Sequence, residues 1–182
     1  RHETAAAVRP ADDLPSGATL VDLARPLLLG LMRELEWTAG GDLEDYAHLH
    51  QVRIAGKRLR YAMEVFADCF SLSFRDSLYP RVEEMQEVLG RANDSHVAEG
   101  RLADLRRRLK RGWPAEWKRV QAGVENLLRF HQRRLPQDRK RFLQWWDEWQ
   151  ETGAPALTAM LGGDGTEVQA VSDLTAKAGA AR

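Results

Sequence analysis

His50, Arg53, Lys57 and Arg60 recur at intervals of three and four residues within LHQVRIAGKRLRYAMEVF, residues 49–66, where no acid appears before Glu64. On a helix, successive side chains advance by about 100°, so these four share one face with Tyr61 and Glu64, while Arg58 lies to one flank. From His50 to Arg60 the row spans roughly 15 Å at 1.5 Å per residue, a line of donors rather than a point site. Basic residues on helices are usually interleaved with acids at i±4, each pair being worth about 0.2–0.5 kcal/mol. Here Arg53 and Lys57, and Lys57 and Arg60, put like charges side by side, a repulsion that an extended polyanion relieves. Arginine supplies a planar fork matched to phosphate oxygens and lysine a mobile point charge, so a mixed row grips successive phosphates without one fixed register. His50 adds a donor whose charge grows as the pH falls. The competing reading is a solvated basic face paired with acids from another helix.

The opposite face of the same stretch carries Val52, Ala55, Leu59, Ala62, Met63 and Phe66, an apolar stripe that must be buried against neighbouring helices. Long segments of this periodicity, separated by short breaks and with no convincing alternating pattern, predict an all-α fold: an antiparallel bundle of about six helices containing the long basic helix. The expected helices run over about Thr19–Trp37 with Thr19 as N-cap, Leu43–Phe70, Asp76–Leu89 closed by Gly90, Asn93 or Asp94 through the basic run RRRLKR (residues 106–111), Pro114–Leu135, and Gln137–Gln150. Pro26 marks a kink or the true start of the first helix, and Pro136 separates the last two. Residues 1–18 read as an arm, 19–151 as the helical domain and 152–182 as an Ala/Gly-rich tail.

The 182 residues suit one domain, and 27 cations against 27 anions confine any charge-driven function to a local patch. The longest apolar run, ARPLLLGLM, is too short to cross a bilayer, so no membrane role is expected. Cys69, the single cysteine, excludes an intrachain disulfide framework and suits a reducing compartment, the cytoplasm by default. Its place at the apolar end of a helix suggests a buried thiol rather than a nucleophile. The chain begins at Arg1 without a secretory pattern, as expected of a piece of something longer.

Other motifs carry less chemistry. His2, His48, His50, His96 and His131 are scattered, so no zinc constellation is indicated. Asn93 and Asp94 read as a helix cap rather than a metal or catalytic pair. LGGDGT lacks the lysine of a phosphate loop. In FLQWWDEWQ, Trp145 and Trp149 read as core; stacking on nucleobases is the minor alternative for these tryptophans. The basic clusters RRRLKR, with Arg106, Arg107 and Lys110, and RFHQRRLPQDRKR, with Arg133, Arg134, Arg139 and Lys140, are second-rank anion candidates beside Tyr61.

LHQVRIAGKRLRYAMEVF closely resembles the signature helix of CHAD domains, the conserved histidine α-helical domains, with His50, Arg53, Ile54, Lys57, Arg58, Leu59, Arg60, Tyr61, Glu64 and Phe66 at the positions of the pattern. MQEVLGRANDSHVA, residues 85–98, is similar to the segment that follows it in that family, and the helical layout from about Leu20 to Gln150 resembles it too. The resemblance implies a non-catalytic helical module that binds inorganic polyphosphate, with His50, Arg53, Lys57, Arg58 and Arg60 as the primary track and with neither cofactor nor metal. It also implies two similar halves, of which this chain resembles the second. A homodimer or an N-terminal half outside the chain would supply the twin. Association with polyphosphate granules in the cytoplasm follows if the polymer is the ligand. The alternatives are an accessory module of a polyphosphate- or triphosphate-metabolising enzyme and a nucleic-acid binder.

Overall fold

The computed structural model describes residues 17–162, and among them every regular element is helical. Helix α1 (Leu20–Ala39) starts where expected. Thr19 is its N-cap, Asp22 Oδ2 accepts the Thr19 backbone N–H at 2.8 Å, and the Asp22 N–H returns to Thr19 Oγ1 at 3.4 Å. This reciprocal box satisfies two of the donors that a helix start leaves open. Pro26 lies inside α1 and does not end it. Helix α2 (Tyr46–Val65) is capped by Asp45, which accepts from the Ala47 N–H at 2.9 Å, and is followed by a 3₁₀ turn at Ala67–Cys69.

The remaining helices differ from the expected set of about six. Gly90 and RAND do not break the chain: α3 runs unbroken over Tyr79–Gly112. Asn93 and Asp94 therefore stand in mid-helix and cap nothing. Likewise Pro136 sits on the exposed side of α4 (Pro114–Glu148). A proline there forfeits one backbone hydrogen bond, and α4 tolerates it because its flanking residues Leu135, Asp138 and Phe142 are anchored by burial. The expected break before Pro114 is present, turning α3 into α4 so that two helices of roughly 50 Å run antiparallel.

A π-turn at Trp149–Gly153 joins α4 to α5 (Ala154–Gly162). For residues 152–162 this differs from the reading of a tail: Ala154, Leu157 and Leu161 are buried in the main core with Leu28, Leu35, Leu59, Met63 and Met85. The aromatic run is core as expected, with Trp149 fully buried and Trp145 and Trp146 nearly so. Gly153 is required at the turn, because a Cβ there would lie 2.2 Å from the Trp149 ring. Arg81 ties the start of α3 to this turn through the Glu148 carbonyl at 3.1 Å and Thr152 Oγ1 at 2.9 Å. Residues 163–182 and most of the expected N-terminal arm, 1–16, lie outside the described residues. The far half of the α3–α4 hairpin has its own smaller core of Trp117, Val124 and Leu128.

Candidate functional site

Helix α2 buries Leu49, Val52, Ala55, Leu59 and Met63, and this fixes its opposite face toward solvent and α3. On that side α3 meets His50, Arg53 and Arg60 by contacts that step backwards along α3 as they step forwards along α2. His50 Nδ1 lies 2.7 Å from Asn93 Oδ1. With the Asn93 amide oxygen as the acceptor, His50 Nδ1 is the donor. The Gln86 amide donates to the Arg53 carbonyl at 3.2 Å, and Arg60 donates to the Tyr79 hydroxyl at 2.9 Å. Gly56 is the point of closest approach: a Cβ there would lie 2.4 Å from Met85 Cε and 2.7 Å from Gln86 Nε2. Tyr79, Gln86 and Asn93 are seven residues apart, two helical turns each, and so share the face of α3 turned to α2.

The four cations Arg53, Lys57, Arg58 and Arg60 divide into two groups. Arg58 turns away from the row to α1, where it meets Glu34 Oε1 at 2.5 Å. The flank position of Arg58 falls toward α1. Arg60 pairs with Glu64 at 3.2 Å and stacks near the Tyr61 ring, 4.5 Å from its centroid. Burial opposes the charge of Arg60, but the Tyr79 hydroxyl and then Glu64 outweigh it, so its pKa stands above the ordinary arginine value. Arg53 and Lys57 have no acid within 4.0 Å among the described residues. Lys57 is exposed and lies 5.3 Å from the Tyr61 ring, and the Arg53 Nε is buried with no hydrogen-bond partner. His50, Arg53, Lys57, Arg60 and Tyr61 are thus brought together, with Arg53 and Lys57 the unneutralised members.

The second-rank candidates lie elsewhere. Arg106 is about 20 Å further along α3 than Asn93, where it pairs with Glu125 at 3.6 Å; Arg107 pairs with Asp104, and Lys110 sits 5.0 Å from the Trp117 ring. Arg133, Arg134 and Lys140 are on α4, with Arg134 held by Asp138 at 3.1 Å and Arg139 reaching Glu44 at 3.7 Å. Of these, only Arg139 comes near α2, at Glu44 just before its first turn. Tyr79, Gln86 and Asn93 were not anticipated as part of the site, although their seven-residue spacing beside the basic motif was a readable signal.

Among the described residues no group of three or more His, Cys, Asp or Glu side chains is placed to hold a metal ion, and no helix is long and apolar enough to cross a membrane. The thiol of Cys69 is pushed above its ordinary pKa by burial and then by Asp68. No curated protein and no solved structure matches the chain. The family model of the CHAD domain matches residues 1–103, ending within α3, so the likeness read as far as Gln150 is carried by α1, α2 and the α2-facing part of α3. With both motif segments inside that match and interlocked in space, the chain belongs to the CHAD domain family.

Proposed function

We propose that the chain binds inorganic polyphosphate through the α2 row, as a non-catalytic module. The observation that carries the reading is the pair Arg53 and Lys57: adjacent cations, no acid within 4.0 Å among the described residues, on a helix whose α3 clamp consists of the uncharged side chains Tyr79, Gln86 and Asn93. Had the row been an ordinary solvated face, acids on α3 would be its natural partners, and α3 has several. His50 and Arg60 extend the donors on either side, and Arg58 stands outside the track. An extended polymer of phosphates fits a line of donors better than a compact anion does.

The test is calorimetric titration with size-fractionated polyphosphate, with nucleic acid as competitor at matched phosphate concentration. Binding that favours polyphosphate and weakens steeply with salt is expected. Arg53→Glu/Lys57→Glu, with helix content intact by circular dichroism, should weaken it at least about tenfold. The neutral variant Arg53→Gln/Lys57→Gln should flatten the log–log salt slope by roughly 1.4, at about 0.7 per contact for a flexible single strand. Unchanged binding in the folded double variants refutes the track, and preference for nucleic acid reassigns the polyanion. Phosphate release dependent on magnesium would revive the enzyme alternative. A second half, as a twin copy or a preceding segment, belongs to the same reading; a stable monomer by light scattering excludes the twin. Granule association follows only from polymer binding.

A further inference from the structure

We propose a second anion site, separate from the α2 row, in the open groove of about 680 Å³ along α3 and α4 lined by Arg91, Arg129, Arg133, Arg134 and Arg141. Arg91 is about 200° around α3 from Asn93, so this groove and the α2 row occupy different sides of that helix. Its centre is Asp138, whose side chain is 2% exposed. Arg91 Nε lies 3.4 Å from Oδ1, Arg134 Nε 3.1 Å from Oδ2, and Arg141 3.7 Å from Oδ1.

The plain reading is a tie between α3 and α4, and Asp138 does tie them. A buried carboxylate is neutralised by one guanidinium, however, and here three converge on it, with Arg129 and Arg133 lining the same groove. Arg133 is exposed and without an acid within 4.0 Å among the described residues, and the Arg129 side chain contacts the neutral Asn126. Arg134 meets Asp138 through Nε, and its terminal nitrogens make no hydrogen bond among the described residues. A carboxylate held from the side in this way fixes the guanidinium while leaving its outer fork for a second anion. The groove is not positive throughout: at the Arg91–Arg141 end it borders Glu84, Glu87 and Glu148. The positive pole is therefore Arg129, Arg133 and Arg134, spread over more than one turn of α4.

Three guanidiniums spread over more than one turn of α4 suit an anion of several linked phosphates better than a single one. The ligand class is an oligophosphate, either free or as the tail of a nucleotide. Phe130, half exposed in the same groove with the Arg134 guanidinium 5.7 Å from its ring centroid, offers the surface on which a base would stack.

The proposal does not depend on the α2 row, and the test separates them. Tripolyphosphate is titrated calorimetrically at low salt into the full chain carrying Arg53→Glu/Lys57→Glu. Saturable binding is expected, weakened at least about tenfold when Arg129→Glu/Arg133→Glu is added, since bonds to charged groups are each worth that much or more. Arg129→Gln/Arg133→Gln, checked by circular dichroism, gives the same reading should the charge reversal disturb α4. No binding in the folded Arg53→Glu/Lys57→Glu chain, or binding indifferent to Arg129 and Arg133, overturns the site while leaving the α2 row standing. Failure of long polyphosphate to bind the α2 row, with tripolyphosphate still held here, does the reverse. ATP at matched concentration assigns the source: tighter than tripolyphosphate and lost in Phe130→Ala, a nucleotide; weaker and indifferent to Phe130, a free oligophosphate.

Discussion

Gly56 is where the helix carrying the cations comes closest to the helix that holds them, and replacing it with alanine sets two opposing effects against each other. In a helix interior, glycine to alanine is worth about 1 kcal/mol in favour of alanine. The new Cβ would lie 2.4 Å from Met85 Cε, 2.7 Å from Gln86 Nε2 and 3.4 Å from Met85 Sδ. Both neighbours are side-chain ends, but neither is free to retreat: Met85 is fully buried in the main core, and Gln86 donates to the Arg53 carbonyl. Overpacking of this kind costs about 1–3 kcal/mol, and losing the Gln86 bond adds about 1 kcal/mol. The balance is a net destabilisation of about 1–3 kcal/mol. Gly100 on α3 is the control, exposed and with nothing within 4 Å of a built Cβ, so Gly100→Ala is expected to stabilise by about 1 kcal/mol. Urea unfolding followed by circular dichroism should separate the two variants by about 2–4 kcal/mol, or roughly 4–16 °C in Tm for a chain of this size. Because the separation of α2 and α3 also sets the Arg53 register, polyphosphate affinity should fall in Gly56→Ala and not in Gly100→Ala. A Gly56→Ala chain as stable as Gly100→Ala would refute the close crossing.

Arg58→Ala should leave polyphosphate affinity within about twofold, since Arg58 pairs with Glu34 on α1; a loss matching that of Arg53→Ala would return it to the track. Leu157→Ala should cost about 3 kcal/mol in urea unfolding, as expected of a fully buried leucine, and a cost below about 0.5 kcal/mol would restore α5 to a loose tail. Burial and Asp68 raise the Cys69 pKa on folding, so its contribution to stability is full below the unfolded value and lost as the pH rises through the folded one. Iodoacetamide alkylation should therefore show a midpoint higher in the folded than in the urea-unfolded chain, and an equal or lower midpoint would count against a sheltered thiol.

The period of α2 made both of its faces legible, because burial on one side leaves the other determined. The α1 start was legible for a different reason: Thr19 and Asp22 form a local box that needs no tertiary partner. Gly90 and Pro136 misled because a helix of 34 or 35 residues anchored along its length by Val82, Met85, Leu89 and by Leu128, Leu135, Phe142 absorbs one weak position. The segment Ala154–Gly162 reads as a tail by composition, and only the turn around Trp149 reveals that its three buried side chains reach the core. The direction of Arg58 was not readable at all, since it depends on where Glu34 falls once α1 has packed.

A neutral chain with cations gathered on one helix must keep its acids off that face, and α3 shows how. It carries Glu83, Glu84, Glu87, Asp94 and Glu99, yet the side chains that touch the row are Tyr79, Gln86 and Asn93. If the row were merely structural, acids at those places would serve better, pairing with the cations as Glu34 and Glu64 pair with Arg58 and Arg60. Asn93→Asp tests this directly. The aspartate keeps the acceptor for His50 Nδ1–H, now in a stronger charge-assisted bond, so stability should hold or rise. It also brings a carboxylate to the row, where a unit charge about 4 Å from a phosphate costs about 1 kcal/mol in water, close to a fivefold loss of polyphosphate affinity at low salt. Stability and binding should therefore move in opposite directions, the mark of a surface left unneutralised for a ligand. If Asn93→Asp leaves affinity unchanged, the absence of acids on that face of α3 has no bearing on binding, and the α2 row loses its strongest support.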